Sequence, residues 1–411
     1  MKSRNFKFSI DVWIVFLMLV CQVIELLFFV SRGIFTLVPL FCLWFFIIST
    51  QKSSFSNYIF LLYKNRSQIF FLIIFVIGVF FNYGLLRGSS NGLSQLLIFV
   101  QYIPIILVSV YYSTNTKIIE KNSILFLLVV MLGLQAIISI PFILSNDPTF
   151  IRSLSSGELR TEENAAIARL NGVGTNSLYS SLAGIIILSF SVFFNNNYSL
   201  FVKVLVLGSI VGMVVTILLS TFVASILLLL LGIAFYFFLQ MFLVNRKKFF
   251  KYLFSLAFIF CLFFLIFDFY LIDSDWFQPI MFKFELFNER GGDVTGRDKL
   301  ALVSLKTFLD NPVIGIGVPE KNSYHLIGEH LPWMDSFATY GFILFSLFLM
   351  FLFSRFRNVI RNLNISDQFS NYRIACITGC ILFVISNFIS PMLFVPASYI
   401  FLFFFYTNFS E

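Results

Sequence analysis

Residues 123–145 read SILFLLVVMLGLQAIISIPFILS, a stretch without one charged side chain. An α-helix needs about 20 predominantly apolar residues to cross the hydrocarbon core of a bilayer. A buried strand is far shorter, and a helix on the surface of a soluble protein keeps a polar face. The stretch therefore reads as a membrane-spanning helix, and it sets the class of the fold.

Similar windows recur on both sides, at 10–30, 33–50, 69–86, 93–113, 175–194, 199–219, 222–244, 252–272, 337–353, 374–390 and 391–409. The count is about twelve. Whole-chain composition agrees: of 411 residues 59% are hydrophobic and 12% charged, with a mean hydropathy of +0.93. A soluble domain carries about a quarter charged residues. Composition thus excludes a soluble enzyme, a nucleic-acid-binding protein and a disordered chain. The expected fold is an all-α polytopic integral membrane protein, a single membrane domain over 1–411. Met1-Lys2-Ser3-Arg4 looks like the start of a signal peptide, but the apolar run behind it is too long and lacks a small-residue cleavage site. It reads as a retained first helix.

Orientation follows from the Lys and Arg in the connections, which favour the cytoplasmic side. With the N-terminus inside, 17 of the 28 cationic residues fall in cytoplasmic segments and 11 outside. Both termini are then cytoplasmic, and the net charge of +8 is a topology signal. Cys21, Cys42, Cys261, Cys376 and Cys380 all fall within spans, where thiols serve as small apolar fillers. No cluster of metal-ligand spacing is visible, so no metal or other cofactor is expected.

Polar chain is concentrated in two outer loops, 146–174 and 273–336, the larger between the ninth and tenth spans. They hold nine of the eleven outer cationic residues, and the second holds both histidines, His325 and His330. Chemistry belongs where the polarity is, on the side away from cytoplasmic nucleotides. Within the second loop, residues 297–309 show helical apolar spacing and predict an amphipathic helix at the membrane surface. It opens after Thr295-Gly296 and closes at Asn311-Pro312. Gly315-Ile316-Gly317 reads as a flexible turn, and the tenth span starts near Pro332, a favoured first-turn residue. Arg152 and Arg160 fall in a Ser/Glu-rich stretch that reads as a mobile, solvated loop. Glu25 is an acid within the first span, where charges are rare and face an interior.

Thr295-Gly296-Arg297 opening a helix, Asp310-Asn311-Pro312-Val313-Ile314-Gly315-Ile316-Gly317, His330-Leu331-Pro332-Trp333-Met334-Asp335 and Tyr340-Gly341 occur in that order. Together they resemble the O-antigen ligase and Wzy-type polysaccharide polymerase superfamily. Arg169-Leu170-Asn171-Gly172 with Thr175-Asn176-Ser177 resembles the arginine-containing segment that precedes a span in that family. The chain departs from it at mid-chain, where many members carry Ser-Arg-Gly and this sequence has Ser220-Thr221-Phe222.

The resemblance implies a bacterial inner-membrane glycosyltransferase that moves a glycan from an undecaprenyl diphosphate carrier to an acceptor hydroxyl. Its partners would be the lipid-linked donor and acceptor, the surrounding lipid, a chain-length regulator and a flippase, with no nucleic acid. A leaving diphosphate needs planar cationic donors, and arginine forks bind phosphate oxygens in pairs. An acceptor hydroxyl needs a base, and imidazole, with its ordinary pKa of about 6.5, suits that task. The resemblance accordingly assigns Arg169 and Arg297 to the diphosphate and His330 to the acceptor. Arg290 and Lys299 are secondary diphosphate candidates. Asp335 would orient the imidazole or bind a sugar hydroxyl; its alternative is a first-turn acid complementing the helix dipole. Tyr324 and Trp333 would stack on sugars, or belong to an interfacial aromatic belt. His325 reads as a surface residue. Polymerase and ligase stay open at this level. A transporter is disfavoured, because the polar mass lies outside the membrane and the halves are unequal.

Overall fold

The computed structural model describes residues 6–28, 37–50, 55–85, 103–113, 117–156, 161–195, 198–243, 254, 261, 297–317, 327–328, 331–361, 370–389 and 398–407. Among them every regular element is helical. The first group is α1 Ile10–Phe28, α2 Val38–Thr50, α3 Phe55–Lys64, α4 Arg66–Val79 with a π-helical extension Phe80–Leu85, and α5 at 103–111. The middle of the chain gives α6 Ile118–Ser145, α7 Pro148–Ser156, α8 Glu162–Leu170, α9 Asn176–Phe193, α10 Leu200–Leu219 and α11 Val223–Leu243. Then follow α12 Arg297–Asp310, α13 Pro332–Arg361, α14 Ser370–Ile389 and α15 Ser398–Tyr406.

Six of these helices (α6, α9, α10, α11, α13 and α14) are long and apolar enough to cross a membrane. The α3–α4 pair, bent by 73° at Asn65, adds a seventh if it is one span. The chain is a helical membrane protein. The sequence windows at 10–30 and 33–50 appear as the helices α1 and α2, and the one at 252–272 lies outside the described residues apart from Phe254 and Cys261. Phe41, Trp44 and Phe45 on α2 and Phe201, Val204 and Val211 on α10 are each more than half exposed. Such surface costs about 25 cal/mol per Å² in water and nothing against lipid.

The hub of the bundle is α9, buried along nearly its whole length among α6, α10, α11 and α14. It is rich in serine, and small residues let helices approach closely inside a membrane. The hydroxyls of Ser181, Ser189 and Ser191 donate to carbonyls one turn back, so each is satisfied within its own helix. Ser180 instead reaches Ser225 on α11 at 3.0 Å. Thr216 on α10 donates both to its own helix and to the Ala136 carbonyl of α6.

These contacts fix helix direction. Ser180 meets Ser225 and Phe190 meets Tyr236, so α9 and α11 run parallel. Asn371, at the start of α14, meets Phe194 and Gln240 at the far ends of those helices, so α14 runs against them. Lys7 pairs with Glu120 at 2.8 Å, and Lys121 donates to the Thr407 carbonyl at 2.6 Å. The first and last described residues therefore share one end of the bundle. The opposite end carries α7, α8, the start of α9, α12 and the start of α13.

Candidate active site

The second polar segment is built on a broken helix. Gly341 interrupts α13 with φ 69° and ψ 177°, which leaves backbone groups of the adjoining turns without helical partners. At membrane depth such groups must be paired within the protein. Residues 312–317 supply the pairing. The N–H groups of Phe342 and Ile343 donate to the carbonyls of Pro312 (2.7 Å) and Val313 (3.2 Å). In return Ile316 and Gly317 donate to Ala338 (2.9 Å) and Thr339 (3.0 Å). The side-chain amide of Asn82 on the π-helical extension binds the Ile314 carbonyl at 2.9 Å. Gly315-Ile316-Gly317 is thus a latch seated in the helix break, which corrects the expectation of a flexible turn. The glycines are dictated by the fit: Gly315 and Gly341 both have positive φ, and a Cβ on Gly315 would lie 2.3 Å from the Thr339 carbonyl oxygen.

Ahead of the latch, α12 spans Arg297–Asp310, matching the helix expected at 297–309. Its buried face carries Ser304 and Thr307, while Leu302, Leu305 and Leu309 form an exposed stripe continued by Val313 and Ile314. Ser304 ties this helix to the start of α13. Its hydroxyl donates to Asp335 Oδ1 at 2.5 Å and accepts from the Gly328 N–H at 2.9 Å. Asp335 Oδ2 accepts from the Leu331 N–H at 3.0 Å, reaching back over the helix start as a capping-box acid does. The geometry gives Asp335 its first-turn role, with a link to α12 that spacing alone did not indicate. Gly328 and Leu331 are the described residues nearest to His330 on either side in the chain, and both bond to the Ser304–Asp335 pair. Ser304→Ala would leave a buried N–H and a carboxylate oxygen without that partner, and is expected to cost about 1–3 kcal/mol. The check is the thermal midpoint of the purified protein; an unchanged midpoint would mean that the tie carries no weight.

Of the other sequence candidates, His330, Tyr324, His325 and Arg290 lie outside the described residues. Arg297 is the first residue of α12 and Arg169 the penultimate residue of α8; their side chains, and that of Glu25, also lie outside. The helices bearing the two arginines stand at the same end of the bundle. Lys299 is exposed on the first turn of α12. Trp333 is only 9% exposed: its indole N–H donates to the Val384 carbonyl and its ring packs near Phe345 and Phe388. In this placement the ring joins α13 to α14.

The first polar segment folds as a helical cap. Ile143, Ile151, Leu154, Ala168 and Val173 form a small core of their own, closed by Leu219 from α10. Asp147 caps α7, accepting from the Thr149 and Phe150 N–H groups at 2.7 and 3.4 Å, with Pro148 at the first helical position. Hydrogen bonds from the Thr149 hydroxyl and N–H hold the Asp147 carboxyl below its ordinary pKa. Thr161 does the capping for α8 through Asn164. Asp147-Pro148 and Thr161 ahead of two glutamates were therefore the legible signals for these helices. Arg152 lies on α7, partly buried, with its guanidinium 5.7 Å from the Phe222 ring centroid. It is not in a mobile, solvated loop, and it brings a cation to the turn whose own sequence, Ser220-Thr221-Phe222, has none. Arg160 lies outside the described residues.

Comparison with models of known protein families and with curated proteins finds no match to this chain.

Proposed function

We propose that this protein is an integral-membrane glycosyltransferase that polymerises undecaprenyl-diphosphate-linked oligosaccharide units at the outer face of a bacterial inner membrane. The observation that carries the reading is the assembly at the α12–α13 junction. Of the motifs that suggested it, residues 312–317 pair with residues 338–343 around Gly341, and Asp335 is tied to Ser304 of α12, the helix that Arg297 opens. Sequence pieces scattered over 45 residues by chance have no reason to interlock, roughly one contact layer deep, at the end of the bundle that also bears Arg169. The exposed Leu302, Leu305 and Leu309 stripe supports a helix that lies along lipid beside the polyprenyl donor.

In this reading the chain crosses the membrane about twelve times, with both termini cytoplasmic and residues 273–336 forming the large outer loop between the ninth and tenth spans. The growing glycan leaves one carrier as its anomeric carbon–phosphate oxygen bond breaks. The same carbon bonds to a hydroxyl oxygen of the unit on a second carrier. His330 takes the hydroxyl proton, and Arg169 and Arg297 balance the charge that builds on the departing diphosphate, aided by Arg290 and Lys299. Tyr324 lines the sugar path, while Asp335 holds the start of α13 to α12 beside it. The reaction needs no metal or cofactor in this scheme, while a flippase supplies the donor and a chain-length regulator sets the product.

Deleting the gene in its host and analysing lipid-linked glycans tests the proposal. Accumulation of single repeat units is expected. Full-length polymer retained on its carrier would make the protein a ligase, and unchanged surface glycan would overturn both readings.

A further inference from the structure

We propose that α3 lies along the membrane surface as a docking site for anionic phospholipid, with Lys64 and Arg66 holding the headgroups. Its neighbour α4 is the helix that crosses. Arg66–Asn82 is about 25 Å long by helical rise, and it carries Phe70, Ile73, Ile77 and Phe81 as an exposed lipid-facing stripe. Its far end reaches the latch, where Asn82 binds the Ile314 carbonyl. Were α3 part of the same span, Lys64 and Arg66 would enter hydrocarbon, where charge is costly. The 73° bend keeps them at its rim. That bend is a built joint. Asn65 is buried there, its side-chain amide donating to the Leu61 carbonyl at 2.7 Å while its own carbonyl accepts from Gln68 and Ile69 to open α4. Tyr58 fixes α3 to the bundle: its hydroxyl donates to the Leu107 carbonyl of α5 at 3.1 Å, and its ring packs against Phe46 and Tyr111.

Side chains divide α3 into three faces. Tyr58, with the half-buried Leu61 and Leu62, turns to the protein. Ile59, Phe60 and Tyr63 form a second face, each at least half exposed. Asn57 and Lys64 lie on the third, exposed and polar. Protein, lipid and water are the three surroundings of a helix held at a bilayer surface against a bundle. The charge is one-sided: residues 51–68 contain Lys52, Lys64 and Arg66 and no acid. Neither Lys64 nor Arg66 has an acidic partner among the described residues, whereas Lys7 and Lys117 at the same end both pair with Glu120. The Arg66 guanidinium stands 4.2 Å from the centroid of the exposed Tyr63 ring, which sets it at the level where an interfacial aromatic sits. A free anion would satisfy the cations and leave Ile59 and Phe60 in water. A leaflet of anionic lipid satisfies both. None of this depends on the enzymatic activity proposed above.

The test introduces Phe60→Trp into the full-length protein, reconstituted in bilayers of phosphatidylcholine and phosphatidylglycerol. Quenching of the new indole by brominated lipids is read as the change against the wild type. Bromines near the glycerol end of the acyl chains are expected to quench more strongly than bromines near the chain ends. At equal mole fraction and low salt, brominated phosphatidylglycerol should quench as if enriched over brominated phosphatidylcholine by roughly fivefold for each cation. Lys64→Gln with Arg66→Gln should bring the two lipids to parity, while Lys64→Arg with Arg66→Lys should keep the preference. Both positions are exposed, so neither pair should move the thermal midpoint. Strongest quenching by the deepest bromines would put α3 inside a span, and no quenching would put it in water; either result overturns the site. Equal quenching by the two lipids in the Phe60→Trp protein, or a preference that survives loss of both cations, overturns it as well.

Discussion

Replacing His330 with alanine is expected to lower glycan transfer roughly 10²- to 10⁴-fold, the span for loss of a positioned general base. The acceptor hydroxyl is a poor nucleophile until its proton has somewhere to go, so the loss should fall on turnover and leave donor binding largely intact. Single repeat units on the carrier should accumulate in the host, with the protein still present in the membrane at its normal level. A His330→Ala strain that makes full-length glycan would remove this residue from the mechanism. Arg297→Ala supplies the contrast, since losing a diphosphate ligand should also weaken donor binding. Gly328 and Leu331, the described residues nearest to this position on either side in the chain, are both bonded to the Ser304–Asp335 pair.

Gly315→Ala is the second large effect, and it acts on folding. The added Cβ would fall 2.3 Å from the Thr339 carbonyl oxygen and 2.5 Å from the Gly341 nitrogen, both backbone atoms with no rotamer to retreat into. Its φ of 68° is strained for alanine besides. Left-handed strain costs of order 1–3 kcal/mol and overpacking about 1–3 kcal/mol more. Gly341→Ala meets Gly315 from the other side at 2.4 Å and should behave alike. Gly208→Ala, whose Cβ meets nothing within 4 Å on α10, should be neutral or slightly stabilising. Thermal unfolding and membrane yield of the three variants decide the matter: equal behaviour would mean that the latch is not a structural joint.

The helical membrane class was readable from a single run such as 123–145, because hydrocarbon imposes length and apolarity together. Helix ends followed where local chemistry marks them, as at Arg297 and Pro332. What spacing could not give was the partner of each marked residue. Gly315 and Gly317 signal freedom of the backbone, and here that freedom is spent on a close approach to α13. Asp335 showed itself as a first-turn acid, but its bond to Ser304, 31 residues away, is a tertiary fact. The cap helices α7 and α8 were hidden by their low apolar content, although Asp147-Pro148 announced the first. Arg152 was misplaced for the same reason, since its neighbour Phe222 is distant in sequence.

The ammonium of Lys121, 2% exposed, leans on the last carbonyl-rich turn of α15 through Thr407, with the Tyr372 ring 5.7 Å away. A helix C-terminus is the natural counterweight to a cation, so the short final helix is what makes that lysine tolerable. Trimming the chain before residue 398 would strand a charge in the interior and threaten α6 and α14 together. The segment around Thr407 thus acts as a keystone, made after α6 and α14 yet needed by both.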